Sequence, residues 1–235
     1  MNNVRTVSDT KRTFYNRHTR PINTIYRRVV EELMVEMHLL SVNADFSYNP
    51  IYALGVVTTF DRFMQGYLPE QDKESIFNAL CQAIEEDPQR YKQDAHRLQA
   101  LAQSLPSKDL IGWLSQTTPT DRDADLAEQL LGIANNPNFK YSRLFAIGLF
   151  SLLELSDPEL VKDEKQRTEA LKSVASGLHL SDDKLTKDLD LYRSNLDKMA
   201  QALVVMADML SADRKKREQR LQQSTTKVTP PSINE

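Results

Sequence analysis

The sequence predicts an all-α protein: a multi-helix bundle with a long C-terminal coiled-coil-like helix. Apolar residues recur at spacings of three and four along most of the chain, which is the period of an amphipathic helix. Nowhere do they show a convincing alternation at the period of two that a half-buried strand requires. Prolines mark the turns between the apolar runs. Helices joined by such turns pack as bundles.

Composition and charge are those of an ordinary globular protein. Of the 235 residues, 40% are hydrophobic and 27% are charged, and the net charge is −3. A chain of this length buries about 70% of its unfolded surface, so it can build a core without disulfides. The one cysteine, Cys81, lies on an apolar helix face and is expected to be a buried, inert thiol. The acidic balance argues against a nucleic-acid-binding protein.

No targeting or membrane-spanning pattern is visible in the sequence. The first thirty residues are basic and lack the apolar core of a signal peptide. No apolar run reaches the ~18 to 20 residues that a transmembrane helix needs. The best candidate, 144–155, is predicted to be a helix buried inside the bundle. We therefore expect a soluble intracellular protein.

Proline and cap residues predict where several helices begin. Pro21 is expected to open a helix whose apolar stripe runs over 22–40. Pro69 starts another predicted helix, and Ser107 is expected to cap a short one. A single helix is predicted over 157–177. Short helices of this kind cover the middle of the chain.

Residues 51–63 are apolar on nearly every face of a helix. The Val and Thr residues within this segment would also suit a strand. We predict a helix because Asn49 and Pro50 form a helix start and Gly66 is a typical helix stop. A helix that is apolar all round belongs in the centre of a bundle.

The C-terminal third carries a heptad pattern. Its apolar residues follow at alternating steps of four and three: Leu185, Leu189, Tyr192, Leu196, Met199, Leu203, Met206 and Leu210. At the next expected positions stand Asp213 and Arg217, where the seam ends. Two interpretations remain open, namely a long helix packed on its own bundle and a coiled coil with a partner. In the second case the candidate contact residues are Leu189, Leu196, Met199, Leu203, Met206 and Leu210.

The N-terminal arm combines basic and aromatic side chains. The candidate partner-binding residues here are Arg12, Arg17, Arg20, Tyr26 and Arg27. Such a combination can bind nucleic acid, an anionic lipid surface or an acidic protein face. It also fits a solvated arm whose aromatic rings fold back on the bundle. Phe14 and Tyr15 favour some packing, because a disordered arm seldom carries both.

Motifs of the common enzyme sites are missing from the sequence. The six glycines are too far apart for a dinucleotide-binding loop or a P-loop, and no serine stands in a nucleophile elbow. None of the four histidines follows a glutamate at the spacing of a di-iron bundle site. Asp121, Asp123 and Asp125 have the spacing of calcium-loop ligands, but Leu126 and Gly132 stand where the loop needs glycine and glutamate. We therefore expect no catalytic site, cofactor or metal.

Several long blocks of the sequence resemble the thylakoid formation protein family. They are 6–15 (TVSDTKRTFY), 18–21 (HTRP), 26–40 (YRRVVEELMVEMHLL), 53–67 (ALGVVTTFDRFMQGY) and 141–150 (YSRLFAIGLF). The resemblance covers roughly residues 4 to 215. The chain lacks the plastid transit peptide of plant members, which suggests the cyanobacterial type.

This resemblance implies an all-helical protein that takes part in photosystem II assembly or repair. It implies the FtsH protease and photosystem II assembly intermediates as partners. It further implies peripheral contact with the cytoplasmic side of the thylakoid membrane, with a soluble cytoplasmic pool. Family members contribute no catalytic residues that could be transferred to this chain.

The predicted organisation has four parts: a basic arm (1–20), a helical bundle (21–180), a long helix with the heptad seam (181–222) and a disordered tail (223–235). The preferred functional interpretation is a non-enzymatic assembly or regulatory protein that binds other proteins. The alternative is a helical-bundle enzyme or small-molecule binder with an unrecognised site.

Overall fold

The computed structural model describes residues 5–118 and 123–226, and these residues form α-helices and no β-strand. The predicted all-α fold class is therefore confirmed. The helices are α1 (Val7–Arg17), α2 (Thr24–Ser41), α3 (Pro50–Phe63), α4 (Gln71–Ala83), α5 (Pro88–Ser104), α6 (Ser107–Leu114), α7 (Ala124–Ala134), α8 (Arg143–Ser156), α9 (Pro158–Lys162), α10 (Glu164–Gly177) and α11 (Asp182–Thr226). The chain divides into two compact units, Met1–Tyr192 and Arg193–Glu235.

The core of the first unit is built on α3 and α8, as the sequence predicts. Most residues of these two helices are buried, including every residue of α8 from Leu144 to Leu153. Each helix begins at a polar cap: Asn49 Oδ1 accepts a hydrogen bond from the Tyr52 amide (2.9 Å), and Ser142 Oγ accepts one from the Phe145 amide (3.1 Å). Because the caps satisfy backbone donors that have no helical partner, the buried helices start without a desolvation penalty at these amides.

Two glycines let α3 and α8 approach each other backbone to backbone. A Cβ atom on Gly55 would overlap the carbonyl oxygen of Leu144, and one on Gly148 would overlap that of Ile51. The overlaps are reciprocal, since each glycine faces the opposite helix. The central crossing therefore depends on the absence of a side chain at both positions.

The basic N-terminal arm contains a packed helix, α1. Thr6 and Asp9 form a capping box at its start, in which the Asp9 amide donates to Thr6 Oγ1 (3.2 Å) and the Thr6 amide donates to Asp9 Oδ2 (3.1 Å). Phe14 is fully buried, whereas Tyr15 is exposed. Helix α1 packs on α2 and α4. One of the two expected rings therefore folds back on the bundle.

Three helix boundaries differ from the sequence prediction, for local reasons. The helix expected at Pro21 begins at Thr24, because Asn23 supplies the cap by accepting from the Ile25 amide (3.1 Å). The helix expected at Pro69 begins two residues later, at Gln71. The single helix expected over 157–177 is divided at Asp163, which caps α10 by accepting from the Gln166 amide (2.8 Å).

Ser107 was also expected to cap a helix, and it does not. It is the first residue of α6, and Pro106 occupies the cap position without a side-chain hydrogen bond. The Ser107 hydroxyl donates instead to the Asp157 carboxylate (3.1 Å). This bond ties the start of α6 to the loop between α8 and α9.

Helix α11 is the long C-terminal helix that the sequence predicts. It extends to Thr226, beyond the predicted end at residue 222. Most of the predicted tail, 227–235, lies outside the described residues. No helix in the described part of the chain is long and apolar enough to cross a membrane.

Candidate partner-binding surfaces

The predicted arginines of the N-terminal region are used in different ways. Arg12 pairs with Asp9 on its own helix at 2.6 Å, and both side chains are exposed. Arg20 pairs at 2.6 Å with Asp72, whose side chain is 3% exposed. Arg17 and Arg27 are exposed, and neither has an acidic side chain within 4.0 Å among the described residues. The charges of Arg17 and Arg27 are therefore the ones available to a partner.

Tyr26 lies inside the bundle. Its side chain is 2% exposed, its ring packs edge-to-face on Tyr67 at 5.0 Å, and its hydroxyl donates to the Gln65 carbonyl (3.1 Å). Burial raises the pKa of this phenol. Because its ring and hydroxyl are both occupied, Tyr26 supports the turn before α4 and does not form part of the exposed surface.

An open groove runs along α2 beside Arg27. Its volume is about 920 Å³, and its walls come from Lys11 on α1, from α2 and from residues 141–143. Ion pairs cross it, including Lys11 with Glu31 (2.9 Å) and Arg143 with Glu36. The exposed Leu39 (57%) adds one apolar side chain. Charges of both signs on an open wall suit a polar protein segment better than a small apolar ligand, which needs an enclosed pocket.

Tyr15 on α1 is hydrogen-bonded to Glu31, a residue of the groove wall. Its hydroxyl donates to the Glu31 carboxylate at 2.7 Å. Partial burial, together with the neighbouring Glu31 charge, raises the pKa of Tyr15 to about 12. Glu31 also accepts from Lys11, and the hydrogen bonds from Lys11 and Tyr15 lower the pKa of its carboxyl. The exposed aromatic residue of the predicted arm is therefore held in a defined position on α2.

Two buried histidines hold the ends of α1 to the bundle. His38 on α2 shares a hydrogen bond with the Thr10 hydroxyl (2.8 Å), and His18 after α1 shares one with the Ser75 hydroxyl on α4 (3.0 Å). Burial is the main cause that lowers the pKa of both imidazoles. Arg5 lowers the pKa of His38 further while Asp9 raises it; for His18, Asp72 raises the pKa and Arg20 lowers it.

We expect acidification to destabilise the protein through these two histidines. Their folded-state pKa values lie below the unfolded value of about 6.5, so the unfolded chain binds more protons as the pH falls. Stability is therefore fully present above about pH 6.5 and decreases below it. Denaturant unfolding at about pH 7.5 and about pH 5.5 should show a lower midpoint at the acidic pH.

Single substitutions assign this pH dependence to its source. His18→Asn and His38→Asn should each reduce the midpoint difference between the two pH values. His96→Asn is the control, because His96 is exposed on α5. Equal midpoints at both pH values in the unmodified protein would contradict the prediction.

The first part of the heptad seam packs inside the first unit. Leu185 and Leu189 are buried, and the Tyr192 ring contacts Phe63 of α3 in an edge-to-face arrangement at 5.9 Å. Burial raises the pKa of Tyr192 to about 12, and the nearby Arg62 guanidinium opposes this shift. Up to Tyr192, the seam residues therefore pack on the bundle of their own chain, which was the first of the two interpretations.

The remaining seam residues belong to the second unit. Met199 is buried, whereas Leu196, Leu203 and Met206 are half-buried. The side chain of Leu210 lies outside the described residues. For this part of the seam the coiled-coil interpretation remains a prediction.

The structure also exposes apolar residues that the sequence analysis did not single out. Val204, Val205 and Met209 on α11 are 62%, 52% and 64% exposed. Their signal was present in the sequence, since three apolar residues stand off the seam within one turn and a half. The heptad pattern does not identify these residues, because none of them occupies a seam position.

Two sequence predictions about chemistry concern the cysteine and a possible metal site. Cys81 is fully buried, as predicted, and burial raises the pKa of its thiol to about 12, which disfavours the reactive thiolate. No group of three or more His, Cys, Asp or Glu side chains that could hold a metal ion occurs in the described ranges. Asp121 of the calcium-like spacing lies outside these ranges.

Comparisons with known proteins agree on one family. The family model described as thylakoid formation protein matches residues 6–221. The protein called Thf1 from Nostoc punctiforme is 85% identical over 100% of both chains, and Thf1 from Gloeothece citriformis is 58% identical over 93% of this chain and 97% of its own. The solved structure of Psb29 has a TM-score of 0.78 and 46% identity, and the match covers 91% of this chain and 99% of that one. The chain therefore belongs to the thylakoid formation protein family.

Proposed function

We propose that this protein is a non-enzymatic accessory factor of thylakoid biogenesis and of photosystem II assembly or repair, and that it acts by binding the FtsH protease. Membership in the thylakoid formation protein family, together with 46% identity to Psb29, is the observation that carries this proposal. The protein would work peripherally at the cytoplasmic side of the thylakoid membrane, in exchange with a soluble pool. Photosystem II assembly intermediates would be its second class of partner.

Two surfaces are proposed for protein partners. The first is the N-terminal face, which we define as Arg17, Arg27 and the adjacent α2 groove. Neither of its two exposed cations has an acidic side chain within 4.0 Å among the described residues, so a partner's carboxylates can bind them without breaking an ion pair at that distance. The groove that Arg27 lines offers both charge signs and the exposed Leu39, which are the features of a polar interface rim.

The second proposed surface is the distal seam, which we define as Leu196, Leu203 and Met206. These side chains are half-buried, so part of each apolar surface remains in water. Covering such surface is favourable by about 25 cal/mol per Å². A partner helix packed against the distal seam would use the heptad spacing that the sequence carries there.

Capture of the FtsH protease from gently solubilised thylakoids tests this proposal and separates the two surfaces. Arg17→Glu with Arg27→Glu reverses the charge of the N-terminal face, and Leu196→Glu with Leu203→Glu places charges in the distal seam. We expect at least about a tenfold loss of captured protease for the variant whose surface binds, because like-charge contacts and a buried unpaired carboxylate each oppose binding by about 1.4 kcal/mol or more. Helical content measured by circular dichroism should stay unchanged.

Matched controls place the same chemistry elsewhere on the molecule. Lys165→Glu with Lys172→Glu reverses two exposed charges on α10, and Leu131→Glu replaces an exposed leucine (53%) on α7. Both controls should capture the protease as well as the unmodified chain. If the unmodified chain captures no protease, the proposal fails, and the result favours the alternative of a ligand-binding site within the bundle.

A further inference from the structure

One face of the distal part of α11 carries an apolar stripe with a lysine at each end. Its members follow at steps of four, three, four, three and four, which keeps them on one side of a helix: Lys198, Ala202, Val205, Met209, Ala212 and Lys216. No acidic residue occurs among them. We call this set the lysine-ended stripe; at 1.5 Å per residue it is about 27 Å long.

The stripe faces solvent. Lys198, Ala212 and Lys216 are exposed, Ala202 is half-buried, and Val205 and Met209 are 52% and 64% exposed. Two large apolar side chains of one helical face therefore remain mostly in water. Such surface is normally covered when a protein works, because exposing it is unfavourable.

The neighbouring face of the same helix has the opposite character. At the same steps it carries Asp197, Gln201, Val204 and Asp208, all of them exposed. Val204 is the single apolar member of this acidic face. Lys198 and Lys216 therefore lie on the same face as the apolar side chains, whereas Asp197 and Asp208 lie on the neighbouring face.

The charge of this region indicates an anionic partner. At the C-terminal end of the stripe, Arg214, Lys215, Lys216 and Arg217 form an exposed basic cluster, in which Lys216 is also the last member of the stripe. Residues 193–226 contain seven Lys or Arg and four Asp or Glu, whereas the whole chain has a net charge of −3. The positive charge is thus concentrated on the same helix that exposes Val205 and Met209.

We propose that the lysine-ended stripe, together with the basic cluster, lies flat on an anionic lipid bilayer. Val205 and Met209 would enter the boundary between headgroups and acyl chains, while the lysine stems extend along the apolar surface and place their ammonium groups among the anionic headgroups. This proposal rests on one part of the proposed function, the peripheral contact with the membrane. It adds which segment of the chain makes that contact and that the lipid is anionic.

A second copy of the chain fits the stripe less well than a bilayer. In an antiparallel pair Lys198 of one copy would meet Lys216 of the other, and in a parallel pair each lysine would meet itself. Both arrangements place like charges opposite each other at the two ends of an apolar contact, which opposes pairing. An anionic bilayer meets every cation of the face with the opposite charge.

Vesicle flotation with the full-length chain tests the proposal. The protein should float with vesicles of phosphatidylcholine and phosphatidylglycerol, should stay at the bottom with phosphatidylcholine alone, and should lose binding as salt is added. Val205→Asp with Met209→Asp should reduce the bound fraction at least about tenfold, because two carboxylates then enter the apolar boundary. Arg214→Gln, Lys215→Gln, Lys216→Gln and Arg217→Gln together should also reduce it about tenfold or more.

The acidic face and the bundle provide the controls. Val204→Asp makes the same kind of change one residue away, on the neighbouring acidic face, and it should leave binding unchanged. Neutralising Lys108, Lys162, Lys165 and Lys172 to glutamine gives the same change in net charge, and it should also leave binding unchanged. Circular dichroism confirms that each variant is folded.

Several outcomes would overturn the inference. They are absence of flotation by the unmodified chain, equal binding to neutral vesicles, and a loss of binding by Val204→Asp equal to that of Val205→Asp with Met209→Asp. A dimer that Val205→Asp with Met209→Asp dissociates, without lipid binding, would make the stripe a contact between copies. Protease capture is measured separately in detergent, so its persistence with failed flotation would refute the lipid contact alone.

Discussion

Gly55→Ala and Gly148→Ala are each expected to destabilise the protein by at least about 3 kcal/mol, the upper end of the usual cost of overpacking. The added methyl group would overlap a main-chain carbonyl of the opposite helix, Leu144 for Gly55 and Ile51 for Gly148. A flexible side chain could rotate away, but a carbonyl inside a helix moves only with the helix. Helices α3 and α8 would therefore have to separate along their shared core.

Denaturant unfolding followed by circular dichroism measures this effect. A loss of about 3 kcal/mol is a large part of the roughly 5–15 kcal/mol that stabilises a typical protein, so the variants should unfold at a much lower denaturant midpoint or fail to accumulate. Accumulation in the cell should fall in parallel, because the unfolded fraction rises.

Gly132→Ala is the matched control for these variants. Gly132 lies within α7, is exposed and has no atom within 4 Å of the position where a Cβ would stand. Alanine is favoured over glycine inside a helix by about 0.8–1.0 kcal/mol, so this variant should be slightly more stable. If Gly55→Ala and Gly148→Ala unfold at the midpoint of the unmodified protein, the close crossing of α3 and α8 is contradicted.

The sequence predicts that α3 and α8 are buried, but it does not predict that they cross at these glycines. An apolar circumference over 51–63 and 144–155 indicates a central helix without naming the helix that covers it. Gly55 was not singled out, and Gly66 was interpreted only as a helix stop. The pairing of Gly55 with Leu144 is a contact between distant parts of the sequence, and local periodicity contains no information on it.

The helix starts show the same limit at shorter range. Prolines at 50 and 158 stand at the first turn of a helix, whereas Pro21 precedes the cap residue Asn23 by two positions. Proline is compatible with both places, because it lacks the amide hydrogen that a first helical residue leaves unpaired. The side chain that accepts from the first free amides decides where the helix begins, and several residue types can do so.

The sequence predicts which residue types could bind a partner, but it does not predict which of those side chains are exposed and unpaired in the fold. The sequence gives no reason to separate the five N-terminal candidates, but the structure buries Tyr26 and pairs Arg20 with a buried carboxylate. Only a neighbour from α4 distinguishes Arg20 from Arg17, and the sequence does not reveal that neighbour. Along α11, likewise, the heptad spacing identifies an apolar seam, but it does not reveal which surface packs against that seam.

Arg20→Ala is expected to destabilise the fold by about 2 kcal/mol, although Arg20 was predicted to bind a partner. The Asp72 carboxylate is 3% exposed and lies 2.6 Å from the Arg20 guanidinium, in an ion pair that is not aligned as a hydrogen bond. Without Arg20 this buried charge has no cation beside it. The expected loss is smaller than for a fully buried pair, because the Arg20 side chain is 54% exposed and water can reach the site.

Substitution of the partner separates the structural role of Arg20 from a binding role. Asp72→Asn removes the buried charge, so adding Arg20→Ala to it should cost less than about 0.5 kcal/mol further. Denaturant midpoints of the two single variants and the double variant measure this coupling. If Arg20→Ala costs the same in the unmodified chain and in the Asp72→Asn variant, the ion pair does not hold α4 to the N-terminal segment. If Arg20→Ala reduces protease capture and adding Asp72→Asn restores it, the reduction reflects a folding defect and not a lost contact. Arg17 and Arg27 then remain as the cations that a partner contacts.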